Sequence, residues 1–189
     1  EYSKRQNPIN SLYGINNGER VIYLGTFNKV LHPSIRLGYM VIPKGFVDAF
    51  KAIQILSFRF LPLSRQLILY EFIKKGHFSQ HIGTLLKVSI ERKEFFIKTF
   101  CSHFKNKIDI FCPNNSLNLV IKLPSQIEDT KVVKELRKKG IIASPYSAYF
   151  VNKTRERGLI IGYASVNEKQ MVKKIEIMVK VFKKFTDFN

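Results

Sequence analysis

The sequence predicts a mixed α/β fold, because short apolar runs and longer periodic segments alternate along its 189 residues. The short runs, bounded by turn residues, indicate strands, and apolar residues recurring every three or four positions indicate helices. The order of elements is α/β in the first half and α+β in the second. Apolar residues make up 45% of the chain, which excludes a disordered polycation.

The first half begins with a polar loop and continues with two short strands. Residues 1–18 show no periodicity and are expected to form a loop. The apolar run 20–25 predicts a buried strand, 26–33 a polar turn, and 36–42 a second strand. Helices are predicted at 46–57, at 64–75 with Ser64 as the N-cap, and at 77–104.

The second half predicts a compact unit of short strands and helices. Leucine and isoleucine occupy every second position of 117–123, as in a strand with one buried face. The elements before this unit are short and strongly apolar. This difference divides the chain into 1–80, a long helix at 81–104, and 105–189. Strands are predicted around 108–111, 117–123, 141–143 and 159–164, and helices at 128–139 and after an Asn167 cap.

The chain is strongly basic, since 32 lysines and arginines against 14 acidic residues give a formal charge of +18. A basic nucleic-acid-binding module is one interpretation. The other is a set of solvated helix faces, because the lysines are spread along the chain in pairs and accompany no zinc-finger spacing and no aromatic RNA-binding strand. The excess charge raises non-specific affinity for polyanions under either interpretation.

Several other classes are not expected from this sequence. No segment has the length and hydropathy of a membrane span, and residues 1–5 do not begin a signal peptide. Two cysteines, Cys101 and Cys112, are too few for a disulfide framework and favour a reducing cytoplasm. The pair His77 and His81 has no carboxylate at ligand spacing, so no metal site is expected and surface or capping roles are favoured.

One segment carries residues suited to chemistry. A strand runs into Thr26 and Lys29, and after a turn Arg36 leads into the next strand. A lysine held between two core strands is expected to be partly desolvated, which makes its amine a nucleophile toward aldehydes. Arginine and threonine supply donors for a phosphate. This combination suits pyridoxal phosphate (PLP), and the alternative is a surface loop with two ordinary cations.

Two adjacent stretches resemble the cofactor-lysine segment of fold-type I PLP aminotransferases: Gly25-Thr-Phe-Asn-Lys29 and Pro33-Ser-Ile-Arg36-Leu-Gly-Tyr-Met-Val-Ile-Pro43. They are most similar to the aminotransferase-like domain of MocR-type regulators of the GntR family, in which a winged-helix DNA-binding domain precedes that domain. The seven-residue step from Lys29 to Arg36 matches the MocR form. The resemblance continues in order through 18–23, 76–82, 91–93 and 159–164.

The resemblance implies the C-terminal portion of the fold-type I fold. Residues 1–80 would be the end of the PLP-binding large α/β domain, 81–104 the connecting helix, and 105–189 the small α+β domain. It also implies a homodimer, because the cofactor site of this fold lies at a dimer interface. DNA would be bound only through a winged-helix domain that is absent from this sequence.

The resemblance also assigns roles to individual residues. Lys29 would form the internal aldimine with PLP, and Arg36 and Thr26 would hold the phosphate. Asn28 stands where the family commonly has serine, and Tyr2 matches a tyrosine whose phenol bonds the cofactor's ring oxygen. An amino acid or amine would exchange with Lys29, and in the regulators the resulting adduct serves mainly as a sensed state.

The sequence departs from the family at several positions. The aspartate that pairs with the pyridinium nitrogen would stand ahead of Glu1, outside this sequence. Ile160 occupies the place where a carboxylate-binding arginine is expected, with Arg155 and Arg157 nearby in a predicted loop. These departures leave catalysis by this chain alone open, and a non-catalytic remnant that binds little cofactor is the alternative.

Overall fold

The computed structural model describes residues 10–15, 17–58, 62–104, 108–113, 116–152 and 156–185. Their contacts divide the chain into an N-terminal unit that ends at Gly83 and a C-terminal unit that begins at Thr84. The described helices are α1 (Leu12–Ile15), α2 (Val47–Phe58), α3 (Leu63–Lys74), α4 (His77–His103), α5 (Asp129–Lys138) and α6 (Glu168–Phe182). The described strands are β1 (Tyr23–Thr26), β2 (Gly38–Val41), β3 (Ile110–Phe111), β4 (Asn118–Leu123), β5 (Ser144–Pro145) and β6 (Arg157–Gly162). None of these helices combines the length and apolar character that a bilayer span requires.

Helix α3 begins one residue earlier than the sequence predicts, and its cap differs. Pro62 is the residue before the helix, so the prediction that Ser64 is the N-cap is wrong. Proline at a helix start fixes φ near the helical value, and Pro62 has φ −61°. The predicted loop 1–18 also contains one helical turn, α1, in which the Ser11 hydroxyl accepts from the Gly14 amide at 3.2 Å.

The N-terminal unit contains a two-stranded antiparallel sheet. Strands β1 and β2 pair with Leu24 opposite Met40. These two side chains are 70% and 54% exposed, so the prediction of a buried first strand is wrong. The apolar pattern is present, but the packing of the described elements leaves these two side chains largely exposed. Val30 and Leu69 are the buried apolar side chains among the described residues of this unit.

The C-terminal unit is built on a four-stranded antiparallel sheet with the order β3-β4-β6-β5. Leu119, Ile121 and Leu123 of β4 are buried, as the sequence alternation predicts. They pack with one face of α5, one face of α6 and the C-terminal part of α4 into a single core. Further members of this core include Phe96, Phe100, Val132, Leu136, Leu159, Met171, Ile175 and Phe182.

The strand predicted at 141–143 lies further along the chain. Gly140 has φ +71° and ends α5, and the Ile141 amide then donates to the Leu136 carbonyl at 3.0 Å. This left-handed ending uses the first predicted strand residue to close the helix. Pairing with β6 therefore begins only at Ser144, opposite Ile160.

Candidate functional site

The candidate site is the connection between β1 and β2, which spans residues 27–37. Thr26 pairs with Gly38 across the sheet, and the Phe27 amide donates to the Leu37 carbonyl at 3.1 Å. The two ends of the connection are therefore held side by side. Both the Thr26 end and the Arg36 end of the predicted site belong to this one connection.

Thr26 fixes the start of the turn with its side chain. Its Oγ1 accepts from the Asn28 amide at 3.2 Å and donates to the Leu37 carbonyl at 3.5 Å. The second bond is at the long limit of hydrogen bonding, so it is weak. A stronger acceptor, such as a phosphate oxygen, would compete well for this hydroxyl proton.

Lys29 lies on a tight turn with a buried anchor. The Phe27 carbonyl accepts from the amides of Val30 at 3.3 Å and Leu31 at 2.8 Å. The Val30 side chain is 2% exposed and fastens this turn to the unit. Lys29 itself is exposed. The desolvation expected from two flanking core strands is therefore absent, because those strands are themselves exposed.

Arg36 has an uncommon backbone conformation. It follows a 3-10 helix at Pro33–Ile35, whose cap is the His32 ring, and it adopts φ 50° and ψ 40°. For a residue with a Cβ, this left-handed conformation costs about 1–2 kcal/mol. Such strain persists where the surrounding structure imposes it, and it concentrates at functional sites. It sets the direction in which the guanidinium leaves the connection.

Asn28 carries an unsatisfied polar atom. Its Oδ1 is buried and has no hydrogen-bond partner among the described residues. A buried polar group without a partner costs about 1–3 kcal/mol. A ligand donor would satisfy this oxygen, and rotation of the amide by half a turn would instead present its NH₂ to an anion.

These groups fit the phosphate end and the aldehyde of PLP. A hydroxyl, an amide and a guanidinium can surround an anion, and the Lys29 amine on the same turn can condense with an aldehyde. Thr26 ends β1, and Asn28, Lys29 and Arg36 follow it on the β1–β2 connection. Tyr2, the remaining predicted cofactor contact, lies outside the described residues, as does Glu1.

One contact at this site is not predicted by the sequence. His81, from α4, lies with its Nε2 2.8 Å from the Val30 carbonyl oxygen. The sequence predicts only a surface or capping role for the pair His77 and His81. The spacing of His77 and His81 is the sequence feature that could have indicated this contact, since it places both rings on the same side of a helix.

An open apolar groove adjoins the same sheet. It has a volume of about 900 Å³, and it is lined by β1, β2 and α2. Gly25 and Gly38 contribute to it, next to the strand ends that hold the connection. Its other members include Leu24, Met40, Phe50, Ile53 and Phe58.

The residues considered for a substrate carboxylate belong to the C-terminal unit. Ile160 is half-buried in β6, where it pairs with Val120 and Ser144. Arg157 is the first residue of β6, so its predicted place in a loop is wrong. Arg155 lies outside the described residues.

The two cysteines and a nearby tyrosine are held in their protonated forms. Burial raises the pKa of both the Cys101 and the Cys112 thiol. The Tyr163 phenol donates to the Ser116 carbonyl at 2.8 Å, and burial together with the neighbouring Cys112 raises its pKa to about 12. These groups are therefore weak nucleophiles at neutral pH.

Part of the excess charge lies on α5 and the residues after α6. The exposed ammonium groups of Lys131 and Lys138 pair with Glu128 and Glu135 at 3.0 and 2.5 Å. Pairing along a helix is typical of a solvated face, so it agrees with the interpretation that the lysines cover solvated helix faces and do not form a nucleic-acid-binding surface. Lysines and Arg137 border a groove of about 610 Å³ there.

Curated sequences similar to the chain include bacterial regulators. A probable rhizopine catabolism regulatory protein MocR from Rhizobium meliloti is 30% identical over 182 residues, which cover 96% of this chain and 37% of that protein. An uncharacterized HTH-type transcriptional regulator, YhdI, from Bacillus subtilis is 26% identical over 171 residues, or 90% and 36% of the two chains. The chain thus spans little more than a third of these relatives. No protein-family model matches it.

Solved structures similar to the chain are aminotransferases. A kynurenine aminotransferase from Pyrococcus horikoshii superposes with a TM-score of 0.81 at 21% identity, over 97% of this chain and 45% of that one. An archaeal alanine:glyoxylate aminotransferase superposes with a TM-score of 0.83 at 18% identity, over 98% and 46%. At these identities the likeness shows the fold alone, and it confirms the predicted fold class.

Proposed function

Because the chain corresponds to the C-terminal, aminotransferase-like part of MocR-type regulators of the GntR family, we propose that it binds PLP through Lys29. The observation that carries this proposal is the β1–β2 connection. Together with the end of β1, it carries an amine and the hydrogen-bond donors that a phosphate needs. The unsatisfied Asn28 oxygen in that turn supports it further, since a bound ligand would remove its energetic cost.

Each residue of the connection has a distinct role in this proposal. Lys29 would hold PLP through its side-chain amine, which is the nucleophile for the cofactor's aldehyde. Thr26, Asn28 and Arg36 hold the phosphate, and Tyr2 bonds the ring oxygen. When bound, PLP supplies an electron sink for the carbon next to the ligand's nitrogen.

The ligand in this proposal is an amino acid or an amine, which would exchange with Lys29 at the cofactor's aldehyde carbon. As part of a regulator, the chain would sense that exchange. The freed lysine amine could then hold or move a proton. Residues 1–80 supply the end of the large domain, 81–104 the connecting helix and 105–189 the small domain. The assembly is a homodimer, and DNA is contacted only by a separate winged-helix domain.

The test is selective trapping of PLP on the chain. PLP is added, the C=N bond is reduced with borohydride, and labelled peptides are identified by mass spectrometry. We expect one predominant pyridoxyl adduct on Lys29 that disappears in Lys29→Ala. Lys44→Ala is the matched control, because Lys44 is another exposed lysine of the N-terminal unit, just beyond β2.

The opposite result favours a second candidate function. Lys29 is exposed, and this observation favours a non-catalytic protein that keeps the fold but holds no cofactor. In that case label is scattered over many lysines and is unchanged in Lys29→Ala. Such a result would contradict the proposed cofactor site and leave the family relationship intact.

A further inference from the structure

Helix α4 holds the Lys29 turn at two points. The Phe78 ring lies edge-on to Phe27, with 5.9 Å between centroids. One turn further along, His81 Nε2 lies 2.8 Å from the Val30 carbonyl oxygen. A carbonyl oxygen only accepts, so His81 donates this hydrogen bond from Nε2. The contact joins residues 51 positions apart, and it is therefore a tertiary constraint on the turn.

The His81 bond completes a clamp around Lys29. On the N-terminal side of the lysine, the Thr26 hydroxyl holds the Asn28 amide at 3.2 Å. On its C-terminal side, His81 holds the Val30 carbonyl. Both bonds come from outside the 27–31 turn, so they fix the backbone that precedes and follows the Lys29 Cα. The His81 ring is itself held by Phe72 of α3, edge-on at 6.5 Å.

We propose that His81 is a positioning residue, which fixes the direction in which Lys29 leaves the turn and so gives Lys29 its preference for the PLP aldehyde. The inference rests on the proposed function. A lysine side chain is long and flexible, so a small rotation of its backbone displaces the amine by a large distance. Misplacement of a reacting atom by about 1 Å can cost a hundredfold in rate.

Two substitutions separate the hydrogen bond from the ring. His81→Gln keeps a donor, because the terminal amide nitrogen of glutamine lies as many bonds from Cβ as Nε2 of histidine does. His81→Asn retains an amide that is too short to reach the Val30 carbonyl. His77→Asn is the matched control, since His77 lies one turn earlier on α4 and contacts the same Phe72 ring.

The first readout is the share of borohydride-fixed pyridoxyl label on Lys29 relative to all other lysines. We expect His81→Asn to lower this share by about three- to tenfold, the range that one hydrogen bond supplies. His81→Gln retains the share within about twofold, and His77→Asn leaves it unchanged. The second readout, without PLP, is amide hydrogen exchange at Leu31, which accelerates in His81→Asn alone.

The outcomes distinguish this inference from the proposed function. If the wild-type chain labels Lys29 selectively and His81→Asn does so equally, His81 does not position Lys29 and the inference is overturned. Loss of selectivity in both His81 variants also overturns it, because the donor would then be irrelevant. If the wild-type chain shows no preference for Lys29, the proposed function fails, and the inference fails with it.

Discussion

Asp129 is a carboxylate that the fold removes from water, with 1% of its surface exposed. Its oxygens accept from the Ser147 amide at 2.9 Å, the Ser147 hydroxyl at 2.8 Å and the Gly158 amide at 3.4 Å. A buried charge is tolerated only with such partners. One side chain at the start of α5 thereby joins the helix to Ser147 and to Gly158 of β6.

The first prediction concerns this carboxylate. Asp129→Ala leaves the buried amide of Gly158 and the donors of Ser147 without an acceptor. We expect the free energy of unfolding to fall by about 3 kcal/mol, measured by urea denaturation. Asp109→Ala is the control, because Asp109 is exposed in the same unit, and it should change stability by less than about 0.5 kcal/mol. Equal effects of the two substitutions would contradict the assigned role.

At the scale of elements, α6 shows how a local signal and a tertiary core act together. Asn167 accepts from the Gln170 amide at 2.9 Å, and Gln170 accepts from the Asn167 amide at 3.4 Å, which forms a capping box. One face of the helix is buried in the core of the C-terminal unit, including Met171 and Ile175. The sequence predicts Asn167 as the cap and the apolar face that includes Met171 and Ile175, because each depends on spacing within the helix.

The second prediction concerns this cap. Asn167→Ala removes the acceptor for the Gln170 amide and should lower the free energy of unfolding by about 1 kcal/mol. Asn167→Asp keeps an oxygen at the same position and should remain within about 0.5 kcal/mol of the wild type. Urea denaturation followed by circular dichroism measures both. A loss in Asn167→Asp as large as in Asn167→Ala would show that the cap does not act through this oxygen.

Strands β1 and β2 give the contrasting case at the same scale. Their pairing and their turn follow from local sequence, but their burial does not. Tyr23 and Tyr39 lie near each other with 6.1 Å between ring centroids, yet both are exposed, and Leu24 and Met40 are more exposed still. An apolar pattern indicates which side of a strand is suited to burial. That side is buried only where another layer of the structure packs against it.

At the scale of the whole chain, the two units differ in how much core they contain. The C-terminal unit holds a continuous cluster of buried apolar side chains from α4, the four-stranded sheet, α5 and α6. In the N-terminal unit, α2 has no buried residue and α3 has Leu69. Many large apolar side chains of this unit are exposed, among them Leu24, Met40 and Leu56, and exposed apolar surface promotes association.

The third prediction follows from that surface. Leu24→Lys combined with Met40→Lys places charges on the exposed face of the β1–β2 sheet and should reduce self-association and dye binding to apolar surface by roughly half. Ile142→Lys with Val151→Lys is the control, because both side chains are exposed in the C-terminal unit. Light scattering and fluorescence measure the two effects. A reduction of equal size in the control pair would point to added charge as the cause.

The sequence by itself determined the fold class, most helix bounds, the buried side of β4 and the segment that carries Thr26, Asn28, Lys29 and Arg36. These features depend on residues that are near one another in the chain, so periodicity and turn chemistry reveal them. The starts of α3 and β5 differed from prediction, because Pro62 precedes the helix and the left-handed Gly140 draws Ile141 into the ending of α5.

Only the tertiary structure decided which side chains are exposed, which are buried and which groups they contact. The exposure of Lys29, the unsatisfied Asn28 oxygen, the burial of Asp129 and the bond from His81 to Val30 all depend on distant parts of the chain. Spacing specifies the direction in which a side chain points relative to its own helix or strand. It does not specify which surface packs there, because that is settled by contacts between elements far apart in sequence.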